Sequence, residues 1–94
     1  METANQTLVV RSIVSDQASI IGPMAIDEAN KVNGLHVSSD LSSISSSGDF
    51  KITLSSLVKR YEQLFGQTSI EVCRESIKKI LPIINAREIP SFLT

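Results

Sequence analysis

The sequence predicts an all-α domain: a small bundle of about four helices arranged as two helix–corner–helix units. Three observations predict it. A glycine-centred pattern occurs twice, 44 residues apart, as Ser19-Ile20-Ile21-Gly22-Pro23-Met24-Ala25-Ile26-Asp27 and Gln63-Leu64-Phe65-Gly66-Gln67-Thr68-Ser69-Ile70-Glu71. Each copy has two bulky apolar residues, Gly, two variable positions, a small residue, Ile and an acid. The flanks extend the match, since Ser12-Ile13-Val14 aligns with Ser56-Leu57-Val58. Apolar residues of the second half recur at helical spacing, and Gly and Pro punctuate both halves where helices should end. Neither unit alone could bury its apolar face, so the two are expected to pack across a pseudo-two-fold with their stripes inward.

Taken in order, residues 1–7 are polar and read as a frayed N-terminus. Residues 8–14 could be helix or strand: Val10, Ile13, Val14, Ala18 and Ile21 fall at helical spacing, while Leu8-Val9-Val10 is rich in β-branched residues. The repeat favours helix, because its second copy is strongly helical. Gly22-Pro23 makes a corner, with Gly in a left-handed conformation ending one helix and Pro opening the next. That next helix should run from Pro23 to about Val32, with Asn33-Gly34 stopping it. The stretch 37–49 contains seven serines and reads as a loop between repeats, with room for one helical turn over Ser39–Ile44. Thr53 is the expected N-cap of the third helix, with Ile52 and Leu57 forming a hydrophobic staple. Leu54, Leu57, Val58, Tyr61, Leu64 and Phe65 then give one apolar stripe, ended by Gly66. Thr68-Ser69-Ile70-Glu71 has the form of a capping box for a fourth helix whose stripe is Ile70, Cys73, Ile77, Ile80, Leu81 and Ile84. Glu75 stands four residues before Lys79, the spacing of an ion pair, and Pro82 should stop the helix near Leu81. Ile89, Phe92 and Leu93 of the tail are expected to dock on the bundle. The alternative fold is a roadblock-like or profilin-like α/β module, which requires strands at Leu8–Val14 and Phe50–Thr53.

Ninety-four residues fit one domain, 1–94, with room for a core but not for a deep catalytic cleft as well. Net charge is −1, which gives no attraction to nucleic acid. The charge is uneven: residues 1–50 sum to −4 and residues 51–94 to +3, a polarity suited to contact between the halves or between protomers. Cys73 is the only cysteine, so no internal disulfide forms and a reducing, cytoplasmic setting is expected. No apolar run approaches the ~18 residues of a membrane span, and the N-terminus lacks the marks of a signal peptide.

No catalytic, cofactor or metal site is expected. The single histidine, His36, lies beside a loop without an acid or cysteine in a recognisable set. Cys73 sits in an apolar stripe and reads as a small hydrophobe. Gly22-Pro23 lacks the glycine spacing and lysine of a phosphate loop. Arg74, Lys78 and Lys79 raise a helix-turn-helix nucleic-acid regulator as the alternative function, but Glu71 and Glu75 share that surface and repel phosphate.

The first corner, Ile21-Gly22-Pro23-Met24-Ala25 with Ile20 before it, resembles the (I/V)GPxA element of a short helical domain near the C-termini of bacterial signalling proteins. Bacterial Ser/Thr kinases and cyanobacterial regulators are among them. The second copy departs from it, with Gln67 in place of Pro and Ser69 in place of Ala. The resemblance implies a non-catalytic accessory module in signalling and carries over no functional residues, because Gly22, Pro23 and Gly66 are structural corners. The expected function is protein–protein interaction, with a protein partner that includes a second copy as a homodimer. The residues expected to carry it are Tyr61, Phe65, Ile77, Phe92 and Leu93.

Overall fold

The computed structural model describes residues 3–83 together with Ile89 and Leu93. Four helices and one short hairpin follow in chain order: α1 (Thr3–Ile21), α2 (Met24–Ala29), β1 (Leu35–Val37), β2 (Ile44–Ser46), α3 (Phe50–Phe65) and α4 (Gln67–Ile80). The domain is therefore mostly helical, but the small antiparallel sheet makes it something other than a clean all-α bundle. Both segments that the α/β alternative requires as strands are helical: Leu8–Val14 lies in α1 and Phe50–Thr53 opens α3.

The duplicated pattern has a duplicated structure. α1 buries Val9, Val10, Ile13, Val14 and Gln17, and α3 buries Thr53, Leu54, Leu57, Val58 and Tyr61, each 44 positions further on. The second arms follow the same offset, with Ala25, Ala29 and Val32 matched by Ser69, Cys73 and Ser76. Such a stripe closes only against another, and α1 packs on α2 and α4 while α3 packs on α4 and α2.

Both corners are built alike. Gly22 and Gly66 have φ of 75° and 76°, a region that side-chain-bearing residues avoid. The Gly22 amide donates to the Ala18 carbonyl at 2.9 Å and the Gly66 amide to that of Glu62 at 2.7 Å. Each glycine carbonyl then accepts from the residue three further on, Ala25 or Ser69, at 3.1 Å in both cases.

The arms differ in length. α2 ends at Ala29 rather than near Val32, because Asn30 turns its side chain to the first strand. Its amide donates to the Val37 carbonyl at 2.8 Å and its side-chain oxygen accepts from the Val37 amide at 2.7 Å. The serine-rich stretch contains β2 in place of the expected helical turn, in the register Leu35↔Ser46, His36↔Ser45 and Val37↔Ile44. Asp40 fixes the loop between the strands, accepting from the Ser38 hydroxyl at 2.9 Å and from the Ser42 amide and hydroxyl at 3.0 and 2.6 Å. Those three donors hold the Asp40 carboxyl down at about 2. Arg11 ties the loop to α1 by donating from Nε to the Leu41 carbonyl at 3.0 Å.

Five further expectations are corrected. α3 begins one turn early, capped by Asp49, whose side chain accepts from the Ile52 amide at 3.2 Å. Thr53 is thereby inside the helix and buried, and Ile52 points to solvent rather than stapling Leu57. α4 starts directly from Gly66 with no side-chain cap, so the Thr68–Glu71 box does not form. Glu75 meets Lys78 at 3.5 Å rather than Lys79, which reaches across to Asp16 at 2.7 Å. α1 starts at Thr3, within the segment read as frayed. α4 ends at Ile80, close to the stop that Pro82 imposes.

Candidate interaction surface

Reciprocal side-chain hydrogen bonds join the units, one set between α1 and α4 and the other between α3 and α2. Gln17 of α1, 1% exposed, donates from Nε2 to the Ser69 carbonyl at 3.0 Å and to Cys73 Sγ at 3.4 Å. Tyr61 of α3, fully buried, donates its hydroxyl to the Ala25 carbonyl at 2.7 Å. Gln17 and Tyr61 are equivalent positions of the repeat, and so are Ser69 and Ala25. Burial raises the Tyr61 hydroxyl above its ordinary value and keeps it a donor. Burial likewise pushes the Cys73 thiol up to about 11, against the lowering effect of the Gln17 hydrogen bond, so Cys73 is an inert part of the core.

Ion pairs also cross between the halves. Glu28, whose side chain is only 10% exposed, accepts from Lys31 at 2.8 Å and from Arg60 of the second half at 3.1 Å. These bonds, Lys31 foremost, hold its carboxyl below the ordinary range despite partial burial. Asp16 accepts from Ser76 and from Lys79. Burial raises its carboxyl, but the combined pull of those two partners wins and the net shift is downward. The opposed charges of the halves thus meet inside one chain.

Outside this closed core lies a groove between the C-terminal half of α1 and the first turns of α4. One stretch, about 240 Å³, is lined by Gln17, Ile20, Ile21, Phe65, Thr68, Ser69 and Val72. The adjoining stretch, about 370 Å³, shares Ile20, Thr68 and Val72 and adds Asp16, Ser19, Glu71 and Glu75. Its floor is apolar and one end is acidic. Ile20 is 61% exposed and Phe65 37%. Leu64, beside Phe65 in the chain, and Met24, four residues after Ile20, are exposed as well.

The expected interaction residues divide sharply. Phe65 lies on the groove. Tyr61, Ile77 and Leu93 are core residues, at most 1% exposed, and offer nothing to a partner. Their place in the apolar stripes is the reason: the same periodicity that marks a stripe marks it for burial. Leu93 and Ile89 dock on the bundle as expected of the tail, while Phe92 and Ile84 lie outside the described residues. Ile20 was legible as the groove's main apolar residue only by position, one step off the buried face of its helix.

Among the described residues, no group of three His, Cys, Asp or Glu side chains could hold a metal ion, and His36 is exposed on β1. No helix among them is long and apolar enough to cross a membrane. Comparison with family models, curated proteins and solved structures found no match.

Proposed function

We propose that this chain is a non-catalytic protein–protein interaction module whose working surface is the groove at the paired glycine corners. The observation that carries this reading is the exposure of Ile20 and Phe65 side by side on a domain whose core is already closed. Single exposed apolar residues are ordinary, but a grouped set beside a groove marks a binding surface. The titratable groups favour the same reading. Asp16 and Glu28 are engaged in ion pairs that tie the two units together, and Cys73, the one thiol, is buried in the core. The nucleic-acid alternative loses support because Lys78 and Lys79, two of the three bases on α4, face Glu75 and Asp16. The likeness of the first corner to the GPxA element favours an accessory role in bacterial signalling, in the cytoplasm.

Affinity capture from the native cell tests the proposal. Wild-type chain should retain a protein partner that Ile20→Asp and Phe65→Asp lose, with the circular dichroism of both variants unchanged. Equal capture by wild type and both variants removes the groove from the reading.

A further inference from the structure

Two of the most exposed apolar residues, Ile20 and Ile52, sit in surroundings of opposite charge. Ile20 at 61% lies in the groove with Asp16, Glu71 and Glu75, of which Asp16 is paired with Lys79 and Glu75 with Lys78, leaving Glu71 as the unmatched charge. Ile52 at 67% stands on the outer face of α3, in a shallow depression with Lys51, Ser55, Ser56 and Lys59. The one acid there, Asp49, is already engaged as the cap of α3. Lys51 and Lys59 form no ion pair among the described residues, and neither does Glu71.

The two surfaces also match in spacing. Ile52, Ser55, Ser56 and Lys59 fall on one helical face, with small serines between the apolar residue and the base. Seven residues separate Ile52 from Lys59, about 10 Å along the axis. The groove presents Thr68 to Glu75 over the same seven-residue spacing, from its apolar end to its acidic end. Serines let a helix approach closely, which a groove between two helices requires.

Resting on the interaction reading above, we propose that the groove's occupant is a second copy of this chain. The outer face of α3 docks head-to-tail, with Ile52 against Ile20, Phe65 and Val72 and Lys59 against Glu71 and Glu75. Because knob and groove are different surfaces, each copy keeps one of each free, and association does not stop at a closed dimer. Lys79 and Lys78 beside the acids set the strength: Asp16 is held by Lys79, so Glu71 carries most of the unmatched charge and the contact is weak and salt-sensitive.

Sedimentation equilibrium from about 10 µM to about 1 mM tests it. The mean mass should climb past that of a dimer and fall back as salt rises from about 0.05 M to about 0.5 M. Lys59→Glu and Glu71→Lys, both at exposed positions, should each weaken association at least tenfold. An equimolar mixture of the two should regain it, since the intact knob of one meets the intact groove of the other. A wild-type chain that stays monomeric, a mass that levels at the dimer, or variants that associate like wild type would each overturn the proposal. The interaction reading survives a monomeric result if Ile20→Asp still loses a captured partner, and falls with it if not.

Discussion

In the first helical unit a glutamine reaches across the domain, and in the second a tyrosine occupies the equivalent place. Gln17 ends on the Ser69 carbonyl and the Cys73 sulfur, and Tyr61 on the Ala25 carbonyl. The larger side chain faces the arm with the smaller residues, Ala25 and Ala29, and the smaller one faces Ser69 and Cys73. Volume is thus shared differently at the two crossings while the donor–acceptor geometry is kept. The lesson is that a duplicated fold holds positions and bond directions and lets residue identity drift, provided each crossing fills its own space. The neighbouring positions show the same freedom in charge. Asp16 and Arg60 are equivalent in sequence and opposite in sign, yet each ties its helix to the other unit.

Truncating the two crossing residues breaks this comparison most severely. Tyr61→Ala should cost about 3–5 kcal/mol, the range for removing a buried aromatic ring. Gln17→Ala removes less volume and one main hydrogen bond and should cost about 1–3 kcal/mol. Urea denaturation of both variants checks the order. Equal losses would mean that the hydrogen bonds, not the packed volume, hold the units together.

The corners give the next largest effect. An added Cβ at Gly22 or Gly66 meets nothing within 4 Å, so Ala there tests backbone conformation alone. Gly66, at φ 76° and ψ −160°, lies in a region open almost only to glycine, and Gly66→Ala should cost about 1–3 kcal/mol. Gly22→Ala should cost about 1–2 kcal/mol for the left-handed conformation. Thermal unfolding of the pair sharpens the comparison: a neutral Gly22→Ala would show that the first corner tolerates what the second does not.

Much of this was legible because repetition is a strong signal. The paired glycines, the stripes of both first arms and the stop near Pro82 follow from spacing alone. The hairpin was not, because β1 and β2 are three residues each and their serines resemble a loop. What orders it is Asp40 collecting Ser38 and Ser42, and Asn30 pairing with Val37 from seven residues away. Side-chain bonds of this kind leave no periodicity. Asp49 competed with Thr53 for the same cap, and the earlier residue won because Phe50 has a place in the core. The groove was half legible. Phe65 was singled out as apolar, but Tyr61 and Ile77 have the same pattern, and only the packing of α1 on α4 decides which of them remains outside.

The smallest effect separates the two charged crossings, and acid brings it out. Both Asp16 and Glu28 lie below their ordinary values of 3.8 and 4.5 in the folded chain. A carboxyl depressed by folding contributes fully above its unfolded value, and the contribution is lost as pH falls, because the unfolded chain takes up the proton first. Stability should therefore hold steady above about pH 5 and decline below it. The two sites should not decline alike. Asp16, with a side chain 29% exposed, can exchange Lys79 for water, whereas Glu28 at 10% has little water to turn to if Arg60 is removed. Arg60→Met should thus destabilise more at neutral pH than Lys79→Met. Lys79→Met, which removes the main group lowering Asp16, should instead flatten more of the acid slope than Arg60→Met, which leaves Lys31 on Glu28. Denaturation midpoints of both variants at neutral pH and near pH 3.5 measure the difference. Lys31 remains bonded to Glu28 in the first variant, which keeps the loss below that of either glycine substitution. Matching slopes in the two variants would make the crossings electrostatically equivalent, with the reversal of sign between Asp16 and Arg60 carrying no consequence for stability.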